Sequence, residues 1–184
     1  IEGLQLLRDL RAEIRPYISA SDDQGRREQL LHAFYHELKF SGDWNNYYAP
    51  ENCLLEQVLS QRSGLPITLG IVLMHLAHSI ELPVRGVCFP GNFLLLFPGD
   101  EPVFIDPFTG EAWDNEQQSL MLRANLGDLT RMESKYIQEA DQCQILSRLV
   151  SVTKACMLQS RCLPEALRAS EVSLVMNPDD PYEI

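Results

Sequence analysis

Within residues 54–111 the chain passes from a loop rich in glycine and proline to an apolar helix and then to short strands. This order restricts the fold more than any other feature. Arg62-Ser63-Gly64-Leu65-Pro66 opens a helical pattern over 67–80. Leu69, Val72, Leu73, Leu76 and Ile80 form one stripe of it, and Ile71 and Met74 cover much of the rest. A helix apolar on most sides belongs inside a domain. Leu82-Pro83 ends it. Residues 84–89 and 93–97 read as strands, Pro98-Gly99-Asp100-Glu101 as a turn, and 103–105 as the returning strand. The expected fold is α+β and helix-rich, with a central buried helix against a small antiparallel sheet.

The flanks read as helices. Leu4, Leu7, Leu10, Ile14 and Ile18 recur at helical spacing. Asp22 or Asp23 is placed to cap a second helix running to about residue 39, with Leu30, Leu31, Phe34 and Leu38 on one face. Residues 40–52 are irregular, and 54–59 form a short helix. After Trp113, helices are expected at 117–124, 141–159 and 164–176, the last with Pro164 in its first turn. Ala166 and Pro178 are spaced as in a tetratricopeptide repeat, although Ser170 stands where such repeats favour a bulky aromatic. Two units are expected: 1–140, and a helical segment at 141–184. One helix pair cannot bury its own apolar face, so it must pack on the preceding unit or on further repeats. The native start is expected upstream of Ile1, and a further helix beyond Ile184.

The 184 residues are 45% apolar, enough for a core, and no apolar run reaches the ~18 residues that span a bilayer. A net charge of −11 repels phosphate backbones, so neither nucleic acid nor membrane is an expected partner. Arg8, Arg11 and Arg15 share one face of the first helix and read as a solvated face opposite Leu7, Leu10 and Ile14. The cysteines are Cys53, Cys88, Cys143, Cys156 and Cys162. An odd number without CxxC points to reduced thiols in a cytoplasmic protein, neither a disulfide framework nor a zinc site.

The order helix, strand, hairpin, strand, closing on Ile105-Asp106-Pro107, resembles the core of the transglutaminase-like cysteine hydrolases. That resemblance implies a Cys at the start of the central helix, where the helix dipole lowers its pKa. It also implies a His base on the next strand and an Asp orienting that His. Here the helix starts Leu65-Pro66-Ile67-Thr68 with no Cys, and Asn92 stands where the base is implied; only Asp106 matches. Thr68 without a base stays a neutral alcohol, and an amide accepts no proton at neutral pH. Losing a central triad member costs such a hydrolase roughly a millionfold, about 8 kcal/mol of barrier. The structural reading is that Thr68 caps the helix, Asn92 satisfies a turn and Asp106 binds backbone amides.

Cys88, on a strand, reads as a small buried hydrophobe. Cys53 precedes a short helix whose N-terminus could activate it. His32 with His36, and His75 with His78, lack the HExxH order and read as solvated or core residues, so no metal is expected. Without GxGxxG, P-loop or GxSxG, no cofactor is expected either. Glu56 and Arg62 are expected to pair and order the loop before the central helix.

Several segments together resemble the bacterial SirB-type family, described as invasion regulators. They are Leu55-Glu56-Gln57-Val58-Leu59, Arg62 with Gly64, Pro66 with Thr68-Leu69-Gly70, Leu82-Pro83-Val84, Phe89-Pro90-Gly91, Ile105-Asp106-Pro107-Phe108 with Gly110-Glu111, and Asn177-Pro178-Asp179-Asp180-Pro181-Tyr182-Glu183. The resemblance implies a transglutaminase-like domain joined to a tetratricopeptide-like tail, and a regulatory role without a defined substrate. The expected function is a non-catalytic module that binds a protein partner. The alternative is a residual cysteine-dependent amide hydrolase or acyl transferase using Cys53 or Cys88. The aromatics at 44–48 either face a partner or pack over the central helix.

Overall fold

The structure, a computed structural model, describes residues 2–178. Helix α1 (Glu2–Ile14) buries Leu10 and Ile14. Helix α2 (Asp23–His32) starts at Asp22, whose carboxylate accepts from the Gly25 amide at 2.8 Å. The expected single helix to residue 39 instead widens after His32 into a π turn, Ala33–Glu37. The turn carries Tyr35 toward the end of the sheet, where its hydroxyl donates to the Pro107 carbonyl at 2.7 Å.

After a 3₁₀ turn at Pro50–Cys53, helix α3 (Leu55–Gln61) stops at Arg62, which is left-handed at φ 55°. The Arg62 guanidinium does not meet Glu56 as expected. It binds the Glu13 carboxylate at 2.7 Å and the Leu38 carbonyl at 2.8 Å. A neighbour on the same short helix could order only that helix, whereas Glu13 ties α1, the π turn and the loop together. Two-residue strands β1 (Ser41–Gly42) and β2 (Ser63–Gly64) pair in parallel beside it, a bridge too short to leave a sequence pattern.

Helix α4 (Pro66–Ser79) is the central helix, with Leu69, Leu73 and Leu76 wholly buried. The sheet beside it is a meander of β3 (Arg85–Val87), β4 (Leu94–Phe97), β5 (Val103–Ile105) and β6 (Ala112–Trp113), all antiparallel. Alternation sorts its faces. Leu95, Phe97 and Ile105 join the main core with α4. Val87, Leu94 and Trp113 form a second cluster with Leu122 of α5 (Asn115–Leu126). The small sheet against the central helix makes the fold α+β and helix-rich.

Helix α6 (Gln142–Gln159) begins with a reciprocal cap. Asp141 accepts from the Gln144 amide at 2.8 Å, and Gln144 from the Asp141 amide at 2.9 Å. Helix α7 (Leu163–Met176) packs back along it. On α6, Ile145, Leu149 and Val152 rest against the main core, and Cys156 enters it. The part of the Asn177-Pro178 motif from Asp179 onward, and the helix expected after Ile184, lie outside the described residues.

Candidate functional site

Two glycines set the register of the cleft at the start of α4. A Cβ on Gly70 of α4 would lie 2.6 Å from the Phe93 ring, and one on Gly86 of β3 would lie 2.7 Å from it. Only backbone on both sides lets that ring wedge between helix and strand. Phe93 thereby fixes the turn before β4, and its neighbour Asn92 faces the helix start. Gly91, at φ +72°, makes the tight corner.

Asn92 closes its turn in two ways. Its amide donates to the Phe89 carbonyl at 3.0 Å, and its side-chain oxygen accepts from Phe93 N at 2.7 Å. The same side chain is near enough to the Asp106 carboxylate to favour its charged form. The strand-turn residue and the strand-end carboxylate are thus side by side, as the resemblance implies for a base and its orienting acid. Burial pushes the Asp106 carboxyl above its ordinary 3.8, against the lowering pull of the Phe108 amide and the Asn92 side chain. The Phe108 amide donates to Asp106 Oδ1 at 2.9 Å, and Gly110 N donates to the Asp106 carbonyl at 2.8 Å. The Ile-Asp-Pro-Phe-x-Gly-Glu segment is a tight turn closed by its own aspartate, with Gly110 at φ +78° beneath Tyr35.

Thr68 is wholly buried and its hydroxyl is engaged on every side. It accepts from Leu65 N at 3.0 Å and donates toward the Asn52 carbonyl at 3.0 Å, with the Leu65 carbonyl at 3.2 Å. Asn52 is itself buried and bonds Asp43 and the Asn46 carbonyl. Thr68 therefore fastens α4 to the 3₁₀ turn, and its oxygen has no lone reactive direction toward a substrate.

A hollow of about 40 Å³ remains between Leu65, Pro66, Ile67 and Asn92. That is room on the order of one or two waters. Tyr47 closes one side, and Arg148 and Val152 of α6 close another. The Arg148 guanidinium donates to three carbonyls of the turn before β4: Asn92 at 2.8 Å, Phe89 at 3.0 Å and Cys88 at 3.3 Å. Arginine supplies five donors in a rigid fork, which suits such a cluster of acceptors. Sequence reasoning missed Arg148. Its signal was an arginine one turn before Val152, inside an otherwise apolar stripe.

The two thiols singled out from sequence do not line this hollow. Cys88 follows β3, half buried, and its S–H donates to the Gln144 carbonyl at 3.7 Å. Burial raises its pKa more than Arg148 lowers it. Cys53 is buried at the end of the 3₁₀ turn, where the neighbouring Cys156 thiol and burial push its pKa up. The helix N-terminus that could activate it is overridden by that environment.

The remaining candidates are dispersed. His32 and His36 are exposed with ring centroids 4.9 Å apart, and His32 lies 4.0 Å from Glu37. His75 accepts from Arg11 Nε at 2.8 Å; burial, then Arg11 and His78, lower its pKa. Arg8 and Arg15 are exposed, but Arg11 does not simply face solvent as expected. Among the described residues no three potential ligands gather to hold a metal ion. Among those residues no helix is long and apolar enough to cross a membrane. Trp44, 72% exposed, packs edge-on against Phe108 at 4.6 Å rather than over α4. Tyr48 is also exposed, and Tyr47 tilts between Phe108 and the hollow.

Residues 2–151 match a family model described as transglutaminase-like superfamily. A UPF0162 protein of Vibrio cholerae is 33% identical over 183 residues, covering 98% of this chain and 68% of its own length. Protein SirB1 of Salmonella typhimurium is 31% identical over 185 residues, covering all of this chain and 68% of its own length. The UPF0162 protein YchA of Escherichia coli is 32% identical over 159 residues, with 85% of this chain and 59% of YchA covered.

Proposed function

Because this chain belongs to the group of the transglutaminase-like superfamily that includes SirB1 and the UPF0162 proteins, we propose that it uses the fold of an acyl-transfer enzyme as a non-catalytic, protein-binding regulator. The observation that carries this reading is the composition of the helix start. Leu65, Pro66 and Ile67 stand there beside Asn92, which is where the resemblance implies a base, and the remaining hollow is about 40 Å³. Acyl transfer needs a nucleophile within reach of a base in a cleft that admits the acyl group. None of the groups around this hollow can both lose a proton and reach a substrate.

In this reading the chain divides near residue 140, and α6, the first of two tetratricopeptide-like helices, occupies what would be the substrate approach. Arg148 is the plug. The partner surface lies elsewhere, on the aromatic segment around Trp44, since tryptophan and tyrosine anchor protein interfaces. The net charge of −11 favours a partner with a basic face. Five free thiols agree with a reducing, cytoplasmic setting.

Two measurements test the proposal. Hydrolysis of amide and thioester substrates is expected to stay at the buffer rate for the native sequence and for Cys53→Ser and Cys88→Ser. Turnover that disappears in either variant restores the cysteine-hydrolase alternative. Affinity capture from the native cytoplasm is expected to recover one stoichiometric protein that Trp44→Ala loses; capture indifferent to Trp44 refutes that surface.

A further inference from the structure

The far end of α4 carries a second concavity, of about 530 Å³, lined by Arg11, Arg15, Ile18, Ser79, Ile80 and Glu81. It shares no residue with the hollow at the helix start and lies at the other end of α4, about 20 Å along the axis. Arg11 stands in the last turn of α1, and Arg15 opens the 3₁₀ turn that follows. The chain has 26 acidic side chains against 15 lysines and arginines, so a cation here has acids in excess to pair with. Among the described residues neither arginine does. The acids beside them on α1 are engaged elsewhere: Asp9 accepts from Gln5 at 2.8 Å, and Glu13 is held by Arg62 at 2.7 Å. Arg11 instead donates its Nε–H to His75 Nε2 at 2.8 Å. Glu81 lines the concavity without forming an ion pair to either arginine.

The C-terminal end of a helix ordinarily offers carbonyls that repel an anion. Here those carbonyls are covered. The Leu76 carbonyl accepts from Ser79 Oγ at 2.7 Å and the Ala77 carbonyl from the Leu82 amide at 2.9 Å. The His78 carbonyl accepts from the Glu81 amide at 3.2 Å and the Ile80 carbonyl from Arg26 at 2.9 Å. Two guanidiniums therefore dominate the donors of the concavity, and their forks match the oxygens of a phosphate. Ser79 Oγ has its proton committed to Leu76, and an ionised Glu81 carries no proton, so both are left as acceptors. Acceptors beside unpaired cations suit a ligand that carries hydroxyls as well as an anionic group. Ile18 and Ile80 give its carbon skeleton an apolar wall. The volume falls within the roughly 300–1,000 Å³ typical of small-molecule sites.

We propose that this concavity binds the phosphate monoester of a small polyol, of the sugar phosphate class. Arg11 and Arg15 hold the phosphate, and Ser79 and Glu81 accept from the hydroxyls. The site is independent of the protein-binding reading, because it uses no residue of the cleft or of the Trp44 segment.

The test is isothermal titration calorimetry of the whole chain with glucose 6-phosphate, inorganic phosphate and glucose, at about 0.15 M ionic strength. Glucose 6-phosphate is expected to saturate with a Kd on the order of 1 mM or tighter. Inorganic phosphate is expected to bind several-fold more weakly, and glucose not to bind. Arg11→Gln and Arg15→Gln are each expected to weaken glucose 6-phosphate about tenfold or more. Arg8→Gln removes the same charge from an exposed position on α1 outside the concavity, and is expected to cost about twofold at most. The His75 ring signals in an NMR titration are expected to move with glucose 6-phosphate and to stay still with glucose. Absence of saturable binding overturns the proposal. Equal affinity for glucose 6-phosphate and inorganic phosphate overturns the polyol assignment, and equal losses in Arg8→Gln and Arg15→Gln overturn the site in favour of a diffuse charge effect. The Arg15 side chain bonds no described residue, so Arg15→Gln carries the test even if Arg11→Gln does not fold.

Discussion

At the scale of single residues, the cleft is defined by groups that bond well and react poorly. Asn92 keeps contact with Asp106 but cannot take a proton from a nucleophile. Thr68 lies where a nucleophile's helix begins, with its oxygen saturated by backbone groups. Thr68→Val is expected to leave Leu65 N and the Asn52 carbonyl unpaired in the core. The cost is about 2 kcal/mol in denaturant unfolding, and Thr68→Ser recovers most of it. Asp106 gives a pH signature. Its native pKa is raised, so the native state binds more protons than the unfolded chain between the ordinary 3.8 and that raised value. Its contribution to stability is complete below 3.8 and is lost as pH rises through the native pKa. The stability of the native sequence relative to Asp106→Asn is therefore expected to fall with rising pH across that window. A flat difference between the two unfolding curves contradicts a buried, proton-holding carboxyl.

At the scale of elements, strong local signals were legible and long-range ones were not. The central helix was read from its apolar faces and found at Pro66–Ser79, and β5 was read and found at Val103–Ile105. Both carry their reason in their own residues. The strand β6 was missed because two residues hold no period, and its place is set by pairing of Phe104 with Trp113. The π turn was missed because α-helical spacing of Leu30, Phe34 and Leu38 persists across it. Of the cleft, Asn92 and Asp106 were legible from one motif each. Arg148 was not, since its partners are backbone carbonyls that any sequence provides. Arg62 was given the wrong partner for a similar reason: sequence proximity favoured Glu56, but the fold brings Glu13 within 2.7 Å. Arg148→Met is expected to leave the turn carbonyls unpaired while preserving the stem's packing. Loss of about 2 kcal/mol and faster protease cleavage between residues 138 and 160 are the outcomes to look for. Arg148→Lys is expected to recover only part, because one ammonium cannot reproduce the fork.

At the scale of the whole molecule, both sheet faces are covered, one by the α4 core and one by α5, and α6 lies over the cleft mouth. The hollow left at the helix start is about 40 Å³, while Trp44 and Tyr48 stay exposed. The most direct measurement is covalent labelling of the native protein with a small electrophilic acyl probe, mapped residue by residue by mass. No adduct is expected on any residue lining the hollow between Leu65 and Asn92, at any pH from 6 to 9. A stoichiometric acyl adduct on a thiol or hydroxyl of that cleft, formed faster than on the exposed Cys143, would contradict the central claim.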